Sequence, residues 1–296
     1  MIDKAVSYWV LVTVRNGEST IAQSLESIQE QTMKPSLLCI VNDGSTDSTP
    51  QILSKFQANH SNIKVITLED KGYDSRRIVH NWNAACGHVR SLGEEYDFLL
   101  ISSDDVIFPK DYVQKLVEEM NKDPRLVLIS GSRGLRQSDH MSLPEGAGRL
   151  IRGSFFRSIG YQHPPYYGYE PWILYKALES GHVVKKLSEP VYDHTRTFGI
   201  GHKFVEYGPA MRCLGYHPLF VLARVARNLI SRNTGIPAGA SVRMLFDYFC
   251  ESKWKNDPYF HYHEESLRAF VRSSQRRRLL NKLHIPGSMT DRTANF

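Results

Sequence analysis

Residues 96–109 read YDFLLISSDDVIFP, and their reading decides the fold. Phe98-Leu99-Leu100-Ile101 is a continuous apolar run, which reads as a buried central strand rather than a half-exposed one. The run stops at Ser102-Ser103, and two adjacent carboxylates follow, Asp104 and Asp105. Apolar residues then return, Pro109 closes the segment, and residues 110–121 read as a helix. Carboxylates at the end of a buried strand offer charged oxygens on a fixed base, which suits a hard cation. In open α/β sheets ligands bind at these carboxyl ends. A pair of aspartates there also serves as a plain helix cap, so the rest of the chain has to decide between the two.

Working outward, residues 8–14 (YWVLVTV) form a first buried-strand candidate, broken at Arg15-Asn16-Gly17. Ser19 is placed to cap a helix over 20–31. A second strand over 37–41 (LLCIV) ends in Asn42-Asp43-Gly44-Ser45-Thr46-Asp47. Asp47 and Ser48 can cap the following helix, whose first turn holds Pro50. A third strand covers 64–68, a loop over 70–77 carries Arg76 and Arg77, and a helix follows over 78–90. This strand–turn–helix rhythm predicts parallel βαβ units, hence a doubly wound α/β fold with a mainly parallel sheet flanked by helices.

Beyond the pivotal strand, 126–130 reads as a further strand and 131–148 as a mobile, glycine- and charge-rich loop. A strand is expected over 153–159. The aromatic, proline-rich stretch YQHPPYYGY (161–169) then leads into Glu170 and a helix over 172–181. Strand-like segments at 183–187 and 191–192 approach His194. From about residue 203 the composition changes to amphipathic helices. Residues 220–230 are one, with Arg224, Arg227 and Asn228 on one side, and a tail bearing Arg272, Arg276, Arg277 and Arg278 follows. The expected division is a catalytic-type domain at 1–202 and a helical, basic C-terminal extension at 203–296.

The bulk properties agree. With 296 residues, 41% of them apolar, the chain can bury one large α/β core. A net charge of +6 suits anionic ligands such as nucleotides, or an anionic membrane surface. The four cysteines have no CxxC spacing, which argues against zinc or a disulfide framework and for a reducing, cytoplasmic setting. Strand-like sequence begins by Val6, leaving no room for a signal peptide, and no run of about 18 apolar residues exists to span a membrane. The basic tail lacks the interleaved aromatics of a nucleic-acid platform, so no nucleic-acid partner is expected. No P-loop, GxGxxG or Ser-His-Asp pattern points to another enzyme class.

Four features thus line up at strand ends: the turn from Thr13 to Glu18, Asp43, the Asp104-Asp105 pair, and Glu170 with His194 further on. In these the chain resembles the GT-A-fold glycosyltransferases of family 2. VTVRNGESTIAQSLESIQEQT resembles that family's opening strand and helix, and CIVNDGSTDST its Asp-Gly-Ser-x-Asp-x-Thr run. LLISSDDVIFP resembles its metal-binding carboxylate motif, and GYEPWILYKALESG its acceptor-side acidic motif.

The resemblance implies an inverting, metal-assisted transfer of sugar from a nucleotide-sugar donor, a UDP- or GDP-sugar, to a hydroxyl of a glycan or lipid-linked acceptor. It implies donor contacts from Thr13, Arg15, Glu18 and Asp43, and a divalent cation, Mn2+ or Mg2+, on Asp104 with Asp105 and His194. Asp43 is placed to accept from the N–H edge of a base. Asp104 would bring the cation that neutralises the leaving diphosphate, and Arg76 or Arg77 would add a phosphate contact. Glu170 would be the base that takes the acceptor hydroxyl's proton. Three positions depart from the family pattern. Ser102 replaces the first acid of the metal motif, Pro171 replaces the aspartate after the glutamate, and Thr13-Val14-Arg15 replaces the usual proline and aromatic. Two other readings stay open: a catalytically decayed sugar-nucleotide or glycan binder, and a sugar-phosphate nucleotidyltransferase. The second would want more glycine than VTVRNGEST holds. Amphipathic helices and the arginine tail further suggest peripheral contact with an anionic membrane.

Overall fold

The computed structural model describes residues 6–93, 95–134, 143–196, 204–230 and 236–282. In chain order it opens with β1 (Tyr8–Val14), α1 (Ile21–Gln29), β2 (Leu37–Asn42), α2 (Thr49–Asn59) and β3 (Ile63–Thr67). A 3-10 turn at Ser75–Arg77 leads into α3 (Ile78–Ser91), β4 (Phe98–Ser103), β5 (Val106–Ile107), α4 (Tyr112–Lys122) and β6 (Leu126–Arg133). β7 (Arg149–Arg152), α5 (Gly153–Ser158), α6 (Tyr169–Glu179) and β8 (Val183–His194) follow. The last helices are α7 (Tyr207–Cys213), α8 (Pro218–Ile230), α9 (Ala238–Phe249) and α10 (Glu265–Lys282).

The eight strands form one sheet in the order β3-β2-β1-β4-β7-β6-β8-β5. It is parallel from β3 through β2 and β1 to β4. β7 runs antiparallel to β4 and β6, β8 parallel to β6, and β5 antiparallel to β8, so the sheet is mixed beyond β4. The chain winds outward from β1 to β3 and then returns to place β4 on β1's other side. This makes a topological switch point between β1 and β4, with the ligand crevice expected outside their carboxyl ends.

The apolar run of each central strand is explained by cover on both faces. Tyr8, Val10, Val12 and Val14 share one face of β1 and pack with Leu38, Ile40, Phe98 and Leu100. Against them lie Ile21, Leu25 and Ile28 of α1, and Val113, Leu116, Val117 and Met120 of α4. Each such side chain, fully buried, contributes about 1.5–3 kcal/mol. The other face of β1 and β2 meets α3, which buries Val79, Trp82, Ala85, Cys86 and Val89. Trp9, on that face, meets Tyr96 in a tilted pair with ring centroids 4.4 Å apart.

Three local expectations change. Residues 153–158 are α5 rather than a strand, and β7 precedes them. Gly153 donates to the Asp97 carbonyl at 2.7 Å, and a Cβ there would lie 2.3 Å from the Tyr96 carbonyl, so the chain turns out of the sheet at this bare residue. Helix α1 starts at Ile21 with Thr20, not Ser19, at its N-cap, and the Thr20 hydroxyl is turned toward Asp104 instead of capping. In the expected loop 131–148, residues 131–133 finish β6, and 135–142 lie outside the described residues.

The chain divides into two compact units. Residues 6–134, 143–163 and 181–196 form the sheet unit, and 164–180 group with 204–282. The Glu170 segment therefore belongs with the C-terminal helices, unlike a single cut near residue 203. In that second unit Tyr175 Oη donates to Tyr216 Oη at 2.9 Å, and His263 Nε2 lies 2.9 Å from the Tyr167 carbonyl. A small core of Tyr167, Cys213 and Trp254 is flanked by Ala210, Tyr259 and Phe260. Among the described residues no helix is long and apolar enough to cross a membrane. All four cysteines are free thiols.

Candidate functional site

The ends of β1 and β2 are tied together by the two loops that leave them. Thr13, buried near the end of β1, pairs in register with Val41 and Ser103. Arg15, just past the strand, reaches the other loop: Nη1 donates to the Asp43 and Gly44 carbonyls, and Nη2 to Asp70 Oδ1 at 2.7 Å. The Gly72 N–H, then Arg15, hold the Asp70 carboxyl below the usual range. Asn16 Oδ1 accepts from the Thr46 N–H at 2.9 Å, and Glu18 Oε2 from the Ser48 N–H at 2.9 Å. Gly44 is required here, since its φ is +62° and a Cβ would meet the Asp70 Cα at 2.4 Å.

Asp43 follows β2 directly, and its carboxylate receives Arg77 Nη2 at 2.9 Å, both side chains mostly buried. Arg76, next in the same turn, instead makes a two-point pair with Asp74. Of the two arginines, then, the structure brings Arg77 into the Asp43 cluster and directs Arg76 elsewhere.

Asp104 and Asp105 follow β4 and face different neighbours. Asp104 Oδ2 accepts from Thr20 Oγ1 at 3.1 Å and lies 2.7 Å from Arg196 Nη2. Burial pushes its carboxyl up to about 6, with Arg196 opposing and Asp105 adding to the rise. Asp105 accepts from Ser103 Oγ at 2.7 Å, and its Oδ2 lies 3.2 Å from His194 Nδ1. Burial alone would raise the Asp105 carboxyl, but the bonds from His194 and Ser103 and nearby positive charge outweigh it, and the group sits below its ordinary value. The register Val106↔His194 between β5 and β8 is what sets His194 beside Asp105.

Among the described residues no three His, Cys, Asp or Glu side chains converge as a ready-made cation site. The chemistry of the donor set nonetheless fits Mn2+ or Mg2+. Asp104 and Asp105 supply hard oxygens, His194 an imidazole, and Asp104 is a buried carboxylate already drawing a positive partner.

Glu170 lies in the second unit, half-buried in the first turn of α6. Gly168 starts that helix at φ +88°, and a Cβ there would meet Leu214 at 2.8 Å. After burial, the Glu170 and Glu206 carboxylates both push up the phenols of Tyr169 and Tyr207, so these four groups are electrostatic neighbours. Sequence reading missed Thr20, Asp70, Arg196 and Glu206. Thr20 and Asp70 lie within a few residues of recognised motifs. Arg196, two residues after His194, and Glu206 carried no signal in type or spacing.

The comparisons with known proteins agree with this geometry. The family model described as glycosyl transferase family 2 matches residues 9–177. EpsH of Bacillus subtilis (strain 168) is 34% identical over 121 residues, 41% of this chain and 32% of its own. The chondroitin synthase of Escherichia coli is 30% identical over 122 residues, 40% of this chain and 16% of its own. The matched region thus spans about a third or less of these curated relatives. Among solved structures, the mannosyltransferase PcManGT from Pyrobaculum calidifontis, in complex with GDP-Man and Mn2+, superposes with a TM-score of 0.54 at 15% identity. That match covers 95% of this chain and 76% of the other. TarS 1-349 of S. aureus in complex with UDP-GlcNAc gives a TM-score of 0.53 at 16% identity over 82% and 71% of the two chains. At these identities the structures speak to the fold alone, while the family model covers more than half of the sequence, strand ends and acidic motifs included: the chain belongs to glycosyl transferase family 2.

Proposed function

We propose that the chain is an inverting glycosyltransferase that moves a sugar from a UDP- or GDP-sugar to a hydroxyl of a glycan or lipid-linked acceptor, assisted by a divalent cation. The observation that carries this is the gathering of Asp43, Asp104 and Asp105 with Arg15, Arg77 and His194 at the strand ends around the switch point. Such a polar cluster on rigid strand ends suits a ligand with one hydrogen-bonding base and one charged diphosphate. Asp43 accepts from the base, and Thr13, Arg15 and Glu18 shape the loop beneath it. Arg77 shields Asp43 and stands ready to meet phosphate charge. Asp104, with Asp105 and His194, would hold Mn2+ or Mg2+, whose charge offsets that of the departing nucleoside diphosphate. Glu170 accepts the hydroxyl proton as the acceptor oxygen attacks the anomeric carbon opposite the leaving group, which inverts the configuration without a covalent sugar–enzyme intermediate.

Ser102 and Pro171 favour the second reading, a sugar-nucleotide binder that no longer turns over. A panel of UDP- and GDP-sugars with Mn2+ or Mg2+, scored for slow donor hydrolysis, separates the two. Cation-dependent hydrolysis of one donor is expected, binding without hydrolysis moves the assignment to the binder, and no binding at all removes both. Asp104→Ala should then lose cation-dependent UDP binding while staying folded. Glu170→Gln should keep donor affinity and lose transfer by several orders of magnitude.

Peripheral contact with an anionic membrane, at its cytoplasmic face, is supported by α8 and α9. Leu222, Ile230, Val242, Phe246 and Phe249 are exposed along these helices. Their one acid, Asp247, is buried and bound by Arg243 and Lys253, which leaves only positive charge at the surface. Flotation with phosphatidylglycerol vesicles at low and high salt tests it, and absence of binding at low salt removes it.

A further inference from the structure

Arg196 is the cation that Asp104 already has. Asp104 is mostly buried at the end of β4, its carboxylate 10% exposed, whereas the Arg196 side chain is 42% exposed. A buried carboxylate that keeps a charge needs a positive partner, because desolvation disfavours the anion. Yet the partner found here is loosely built. A single nitrogen, Nη2, lies 2.7 Å from Asp104 Oδ2 as an ion pair, while its hydrogen bonds go to Thr20 Oγ1 at 3.2 Å and the Asn16 carbonyl at 3.3 Å. That nitrogen has two hydrogens, so the contact is not the parallel two-bond fork that makes arginine–carboxylate pairs strong. By contrast Asp105 is engaged from two directions, by Ser103 and by His194, which the β5–β8 register sets beside it.

We propose that Arg196 is a resident counter-cation of the donor site, which gives up Asp104 to a divalent ion only when a nucleoside diphosphate supplies the guanidinium with a new anionic partner. This rests on the cation reading above. Before donor binding Arg196 occupies the carboxylate oxygen and repels a second cation, so metal affinity is low. A diphosphate adds negative charge beside both, Arg196 transfers to a phosphate oxygen, and Asp104 is released to the ion. Cation and nucleotide binding are thereby coupled, and the coupling is reciprocal. The site would not load metal idly.

The test measures Mn2+ affinity by electron paramagnetic resonance and calorimetry, with and without UDP, for the parent, Arg196→Gln, Arg196→Lys and Asp104→Asn. Melting curves check each fold, and the exposed position of Arg196 makes its variants mild. Arg196→Gln is expected to bind Mn2+ alone about tenfold more tightly than the parent, as removal of one competing charge implies, and to lose most of the enhancement by UDP. Arg196→Lys should fall between the two. Equal Mn2+ affinity in parent and Arg196→Gln, with binding abolished in Asp104→Asn, overturns the counter-cation role and leaves the cation reading standing. Mn2+ binding that survives Asp104→Asn, or is absent from every form with UDP present, overturns both.

Discussion

Gly17→Ala is a steric probe of the site that removes no functional group. A Cβ at Gly17 would lie 2.6 Å from Asp104 Oδ2 and 2.6 Å from Val14 Cγ2. Carbon contacts are comfortable only at about 3.5–4.0 Å, so something must move by about 1 Å. The backbone of Gly17 cannot easily retreat, because its N–H donates to Thr49 Oγ1 at 2.9 Å and its carbonyl accepts from the Thr20 and Ile21 N–H groups. Val14 is buried and stiff at χ1. The yielding group is therefore Asp104, which must leave Thr20 or Arg196. Overpacking of this kind costs about 1–3 kcal/mol. For a unit of this size that lowers the melting temperature by about 2–4 °C per kcal/mol. Displacing Asp104 should also weaken Mn2+-dependent UDP binding about tenfold, as loss of a hydrogen-bonded alignment of about 1.4 kcal/mol implies. Calorimetry and thermal melts measure both. In the Asp104→Ala background one of the two clashes is gone, so the same glycine substitution should cost less by about 0.5–1.5 kcal/mol. Unchanged melting and unchanged UDP binding in Gly17→Ala, or a cost identical in both backgrounds, would refute the packing of the first loop on Asp104.

Other consequences follow from single residues. Gly87→Ala, at an exposed position inside α3 where an added Cβ meets nothing within 4 Å, should raise stability by about 0.5–1 kcal/mol in urea melts. Tyr112→Phe should cost about 1–3 kcal/mol, because the buried hydroxyl donates to the Gly148 carbonyl at 2.7 Å and accepts from the Gly131 N–H at 2.9 Å, and both would be stranded. His163 is fully buried against Trp82 and Phe156 with neither ring nitrogen bonded. Burial, then the charge of Arg149, pushes its pKa down to about 3. Below about pH 6.5 the unfolded chain protonates this ring and the folded one does not, so stability falls as pH falls, by up to about 1.4 kcal/mol per pH unit until about pH 3. His163→Leu keeps the backbone bonds to Asn83, and its stability measured from pH 7 to 4.5 should decline less steeply than the parent's.

The donor half of the site was legible because its determinants are local. A buried apolar run that ends in carboxylates states both a strand and its functional end, as in LLCIVND and FLLISSDD, and the structure sets these two strands on either side of β1. What escaped reading depends on pairings between distant segments. Asp105 and His194, 89 positions apart, are expected together only through the family resemblance, and it is the β5–β8 register that sets them side by side. Arg15 bonds Asp70 across 55 positions, and nothing in DKGYD marks Asp70 as its partner. The strand expected over 153–159 failed for a similar reason: Gly153 sits where only a bare backbone can pass the Tyr96 carbonyl, a long-range steric fact. His163 falls in a stretch that reads only as an aromatic, proline-rich loop, but Asn83 holds its backbone from α3, and the ring is buried.

Two adjacent aspartates after one strand are held here by different kinds of partner. Asp104 faces α1, where Thr20 has given up its capping role to donate to the carboxylate and Gly17 leaves room for it. Asp105 lies against β8, where strand pairing fixes both His194 and the Thr195 N–H that bonds the Asp105 carbonyl at 2.8 Å. One carboxylate is therefore embedded in paired backbone and the other rests against a loop, a hydroxyl and one exposed arginine. Rigid and exchangeable partners are separated by a single peptide bond. The serine at position 102 fits this division. It is buried, and its Oγ lies 3.4 Å from the Ser103 carbonyl. A third carboxylate there would need a cation of its own, and Arg196 already faces Asp104. Restoring an acid at Ser102 should therefore destabilise the sheet end before it strengthens any cation site, since an unpaired charge at a buried position costs more than a surface ligand returns.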